Sequence, residues 1–214
     1  MTKTSLRQSI TLVPLAREKN RTSGAVFSLA QQWRKTPQPE FLPGRVRLWW
    51  TPSELKLTAV LSGRNIASRS TAHNQPMWRL GDTFEIFLQA RGQSDYAELH
   101  ITPNNHRLHL AVPGPESTSP LSPAFVAFEE MRVTPAGFSS VVRRNANAWS
   151  IRAAMPPALA GFDLFQPGEQ FRISFARYDA GQSLDPVLST SSPHSRLAFH
   201  RPDEWSTVRL SAGH

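Results

Sequence analysis

Apolar and polar residues alternate in short runs along most of this chain, and prolines or small polar residues break the runs at intervals of roughly eight to twelve positions. Residues 45–51, RVRLWWT, alternate up to Pro52, and residues 54–62, ELKLTAVLS, alternate after it. Proline presets the backbone angle of a tight turn, so Thr51 to Glu54 reads as the corner of a hairpin. The same period of two predicts strands over 83–88, 96–102, 107–112, 138–143, 149–155, 171–178 and 205–210, about nine in all. In 96–102 it puts Leu99 and Ile101 on one face, and Glu98, His100 and Thr102 on the other. Glu85, between Phe84 and Ile86, falls on the solvent side if that strand is half-buried.

So many short strands with no long helical pattern predict an all-β fold. The expected architecture is a two-sheet antiparallel β-sandwich, immunoglobulin-like or jelly-roll-like, with short turns or helices at the N-terminus. Residues 113–123, PGPESTSPLSP, read as a loop, 163–169 as a turn-rich crossover, and 189–202 as a long loop. The stretch 23–36, SGAVFSLAQQWRKT, is the one segment that resembles a short helix. The division expected is a basic N-terminal extension, 1–40, that either adds a strand or forms an arm, and a sandwich domain, 41–214.

Composition narrows the function classes. The absence of cysteine excludes a disulfide scaffold, a thiolate zinc site and a cysteine nucleophile. No run approaches the roughly 18 apolar residues that a bilayer span needs, so no membrane partner is expected. The apolar run from Ile10 to Leu15 is interrupted by Pro14 and is too short for a secretory signal, which makes a cytoplasmic location the expectation. The formal charge is +8, and Lys3, Arg7, Arg17, Lys19, Arg21, Arg34 and Lys35 face only Glu18 near the start. These cations are scattered and lack interleaved aromatics, so solvation explains them more simply than nucleic-acid binding.

Four passages carry a family resemblance. MWRLGDTFEIFL followed by YAELHITPNN resembles the core motif of family-nine carbohydrate-binding modules and the wider DOMON-like group. WSIRAAMP, FRISFARYDA and SSPHSRLAFHRPDEWSTVRL resemble their later strands, in the family's order. Three positions depart from the pattern: Arg152 stands where the family has Glu, Phe199 where sugar-clamping members have Trp, and Ser206 where Gly is usual.

The resemblance implies non-catalytic binding of a sugar or other small ligand. A pyranose has apolar faces that stack on rings and a rim of hydroxyls that needs donors and acceptors. By this likeness Trp78 and Phe199 form the two rings, Glu85 accepts hydroxyl protons, and His100 takes a position where the family often has Arg. His200, Arg196 and Asn104 are near enough in sequence to contribute. From the residues alone, packing accounts for Trp78 and Phe199, and turn geometry for Asn104. Two alternatives follow from the same likeness: a sandwich that serves as a protein-interaction module, or a DOMON domain holding haem between Met77, Met131 or Met155 and His100.

Other chemistry finds little footing. His100, His106 and His109 lack the spacing of a zinc site, and no metal or cofactor is expected. No nucleophile elbow, Walker loop or dinucleotide fingerprint occurs. Glu85 and Glu98 could in principle make a carboxylate pair for glycoside hydrolysis, but no general acid is identified and solvated carboxylates explain both more simply, so no enzyme is expected.

Overall fold

A computed structural model describes residues 12–18, 24–134, 136–181 and 185–212. Lys3, Arg7, Lys19 and Arg21 of the basic N-terminal segment lie outside the described residues. The chain forms two packed sheets. The larger contains β1 (Leu12–Ala16), β5 (Thr83–Ala90), β6 (Tyr96–Ile101), β7 (Arg107–Val112), β10 (Gln170–Asp179), β11 (Val187–Thr190) and β12 (Ser206–Ser211). Its order is β1-β12-β10-β5-β6-β7, with β11 pairing the second half of β10 beyond the end of β12. The smaller is fully antiparallel, with β2 (Ala25–Leu29), β3 (Gly44–Thr51), β4 (Glu54–Ser62), β8 (Ser139–Arg144) and β9 (Ala148–Met155) in the order β2-β3-β4-β9-β8. The β1–β12 pair is parallel. One four-residue helix, α1 (Phe128–Met131), accompanies several 3₁₀ turns. The two-sheet sandwich read from the alternation is the observed architecture.

The helix-like stretch 23–36 requires correction: residues 25–29 are strand β2, paired with β3. Val26 and Ser28 point outward while Phe27 and Leu29 enter the core, and pairing with β3 outweighs any local helical tendency. The predicted loop 189–202 also begins too early, because Ser189 and Thr190 end β11. The described part of the first 40 residues thus adds a strand to each sheet. It also stitches them together: Ala30 and Thr190 exchange two backbone hydrogen bonds, and Glu18 N donates to the carbonyl of Trp50.

Between the sheets lies one apolar core. Phe84 and Phe175 stack at 5.9 Å with nearly parallel planes, Phe27 meets Phe175 edge-on at 5.3 Å, and Trp50 and Trp149 fill the smaller sheet's side. Each such ring contributes roughly 2–3 kcal/mol by leaving water. Trp50 Nε1 donates to Leu15 O at 3.0 Å, which ties β1 to the core.

The outer face of the larger sheet is also covered, and this positions the candidate site. Met77, α1, Phe199 and Trp205 fold over β5, β6 and β7 and form a second apolar cluster. β5 and β6 are therefore buried on both faces. This overturns the expectation that Glu85 faces solvent: alternation decides which face a residue takes, and long loops decide whether that face is wet.

Candidate functional site

Cross-strand register sets the centre of the site. Glu85 on β5 pairs directly with His100 on β6, and Glu98 lies two residues before His100 on the same face. His100 Nε2 donates to Glu98 Oε1 at 2.6 Å and lies 3.5 Å from Glu85 Oε1. All three side chains are buried. His200 joins from the loop before β12, its Nδ1 2.6 Å from the Tyr96 hydroxyl and 3.7 Å from Glu98 Oε2. The Trp78 ring, on the 3₁₀ turn Met77–Arg79, packs edge-on to His100 at 5.5 Å and to Phe128 at 5.6 Å.

The electrostatics follow from burial. Burial pushes the Glu85 carboxyl up to about 8, against the pull of His100. Burial acts on Glu98 in the same sense, but His200 and the hydrogen bond from His100 outweigh it and hold that carboxyl below its usual range. Burial would lower the His100 imidazole, yet the facing carboxylates raise it. These shifts favour the protonated form of Glu85, the charged form of His100 and the carboxylate of Glu98, a combination in which the charges offset one another. A low-dielectric interior admits that combination far more readily than a lone ion.

Ligand atoms of Glu85, Glu98 and His100 lie within 4.8 Å of one another, the one such group among the described residues. At 2.6 Å, however, the His100–Glu98 contact is a charge-assisted hydrogen bond rather than the spacing of two ligands on a metal ion. The clustering of His100, His106 and His109 in sequence does not survive folding. His106 bonds Ser70 and packs against His73, while His109 points to the other face of β7, beside Gly137.

The sequence-nominated residues separate into three groups. Trp78, Glu85, His100 and His200 come together. Phe199 belongs to the same apolar cluster but is sealed: it is 7% exposed, and its ring is flanked by Trp33 at 6.3 Å, Tyr178 at 6.0 Å and His194 at 6.2 Å. Trp205 Nε1 donates to the Phe199 carbonyl at 2.9 Å and holds that loop down. The ring expected to be the second half of the clamp, Phe199, is thus buried, with Trp33, partly exposed, packed against it. Asn104 and Arg196 stand apart. Asn104 donates to the carbonyls of Ser68 and Ser70, fastening a loop, and Arg196 is exposed. No hydrogen bond or ion pair joins either to the trio among the described residues.

Sequence reasoning missed Tyr96, Tyr178 and Trp33, and gave Glu98 no binding role. The signal for Tyr96 and Glu98 was available, since both share the outward parity of His100 on β6. Nothing local marks Trp33, which reaches the site across sequence distance. The motif Asp82 is structural. Its carboxylate accepts backbone N–H bonds from Ala67 at 2.7 Å, Ala180 at 2.9 Å and Gly181 at 3.1 Å, and so pins two loop segments to the entrance of β5. A cavity of about 750 Å³ opens elsewhere, against the edge of β6 and β7, lined by Ala97, His109, Ala111 and Leu159 and by none of the nominated residues.

No family model matches the chain, and no curated protein is detectably similar to it in sequence. Solved structures are informative about fold. A protein of Bacteroides uniformis assigned a carbohydrate-binding role superimposes with a TM-score of 0.71 at 14% identity, covering 94% of this chain and 100% of that one. A family-nine carbohydrate-binding module of Caldicellulosiruptor kristjanssonii in complex with cellotriose gives 0.62 at 13% identity, covering 95% of each chain. The glucose complex of such a module from the same organism gives 0.62 at 12% identity, covering 95% of this chain and 97% of that one. The protein is a two-sheet β-sandwich. Its fold is that of the family-nine modules, as the order of its motifs implied.

Proposed function

We propose that the protein binds a neutral sugar, without catalysis, at the outer face of the seven-stranded sheet. One observation carries this reading: a partly exposed Trp78 ring stands against a buried, hydrogen-bonded acid–imidazole trio on a sandwich of the fold that holds cellotriose and glucose in its structural neighbours. An indole face suits the C–H face of a pyranose, and the half-exposed His200 offers polar atoms for its hydroxyls. Trp33 and Tyr178, also partly exposed, border the same cluster, with Phe199 supporting Trp33 from beneath.

The trio favours binding over hydrolysis. Glu98 is committed to His100, and Glu85 is enclosed at 2% exposure. Calorimetric titration with cellotriose and glucose tests the reading. Heat of binding for the wild type and none for Trp78→Ala, with both proteins folded, is the expected result. Absence of binding across a panel of neutral glycans would remove the sugar reading and leave the protein-interaction alternative.

A further inference from the structure

The five-stranded sheet turns a different surface to solvent. Its inward residues, Val46, Leu48, Leu57, Ala59, Ile151 and Ala153 among them, are buried in the core, so the alternate positions face outward. Register aligns these in rows across the strands. One row holds Ser28, Arg45, Val60, Ser150 and Arg143; the next holds Val26, Arg47, Thr58, Arg152 and Val141; a third holds Trp49, Lys56, Ala154 and Ser139. Five of these side chains are basic. Among the described residues Glu54 and Glu18 lie beside them, both drawn to Lys56 at 3.5 and 3.0 Å. Arg45, Arg143 and Arg152 are exposed, and no ion pair engages them among the described residues. Val60 and Val141 are 54% and 58% exposed. A groove of about 470 Å³ runs beside Trp49, Lys56, Ser140, Val141 and Arg152.

The pattern has the chemistry of a polyanion site. Neighbouring strands lie about 4.8 Å apart, which places Arg45 and Arg143 roughly 14 Å apart, with Arg152 on the strand next to Arg143. Guanidinium groups take carboxylates in a bidentate fork. Between them Val60, Val141 and the edge of Trp49 leave apolar ground for C–H surfaces. A nucleic acid fits less well. Reading a duplex requires a helix or ribbon that enters a groove, and a single strand is held by several stacking rings, whereas this flat face offers one.

We propose that the outer face of the five-stranded sheet is a second binding surface, for a linear acidic polysaccharide of the polyuronate type. It is separate from the opposite sheet and does not depend on what that sheet binds. Arg152, which stands where the resembling modules carry Glu, is its central cation.

Calorimetry with oligogalacturonate tests this at low salt, about 50 mM, and again at about 300 mM, where exposed charges are screened. The expected result is binding that weakens roughly tenfold at the higher salt and another tenfold or more in Arg143→Glu/Arg152→Glu. That variant keeps its melting temperature, since exposed side chains contribute little to stability. It also keeps any cellotriose response, and Trp78→Ala keeps the oligogalacturonate response, so the two sites fail separately. No oligogalacturonate binding at low salt, binding indifferent to the charge reversal, or tighter binding of a thymidine oligomer would each overturn the proposal.

Discussion

Glu85 and His100 stand directly opposite each other on neighbouring strands, 3.5 Å apart and closed off from water. The folded state therefore holds protons that the unfolded chain releases. Glu85 keeps its proton up to about pH 8, while an unfolded glutamate loses it near 4.5. The raised His100 acts in the same sense above its unfolded value of 6.5. Over that interval the native state binds more protons, so stability falls as pH rises. Glu98, held low, gives the opposite slope only below 4.5. The melting temperature should drop by on the order of 5 °C or more between about pH 5 and pH 8, and Glu85→Gln should flatten much of that decline. An identical slope in the variant would mean that Glu85 is not protonated in the native state.

Trp78 and Phe199 should behave oppositely when truncated. Trp78 is partly exposed, and its loss is expected to abolish sugar binding at little cost in stability. Phe199 is buried among Trp33, Tyr178 and His194, so Phe199→Ala should cost about 3 kcal/mol and lower the melting temperature by on the order of 8 °C. Calorimetry and thermal melts on the two variants separate a contact residue from a support.

The entrance to β5 should be sensitive to two changes that touch no ligand. Asp82→Ala leaves three backbone N–H groups without their acceptor, at a cost of about 3 kcal/mol or more. Gly81 has a φ of +133°, and a Cβ there would lie 2.5 Å from the Ala67 carbonyl oxygen, which is backbone and has little room to move. Gly81→Ala should cost about 2 kcal/mol or more. Urea midpoints read both effects.

At the same end of the sandwich Arg177 is fully buried, with Nη2 3.0 Å from Asp179 Oδ1. Burial, opposed by Arg177, lifts Asp179 to about 6. Arg177→Leu strands that carboxyl and should destabilise by about 3 kcal/mol or more, whereas Arg177→Leu/Asp179→Leu should recover a good part of the loss. A double-mutant cycle by chemical denaturation decides it. If both variants lose equally, packing rather than charge holds this corner.

The alternation of apolar and polar residues was enough to locate the central strands, because a strand that packs one face on a core must place its side chains with a period of two. It also fixed the shared parity of Glu98 and His100 and the hairpin at Pro52. Strands β1, β2 and β11 were hidden for a common reason. They are short, and each becomes a strand through its pairing: Leu12–Ala16 with β12 at the far end of the chain, Ala25–Leu29 with β3 across the Pro-rich stretch that follows it. Whether a face is wet or dry was likewise a tertiary matter. Glu85 and His100 show the outward parity of solvent residues, yet loops that fold over β5 and β6 bury them and force them to share protons. The same covering buried Phe199 and brought Trp33 against it. No local pattern encodes such a meeting, because burial depends on what long connections cover, and that is settled only when the whole chain has closed.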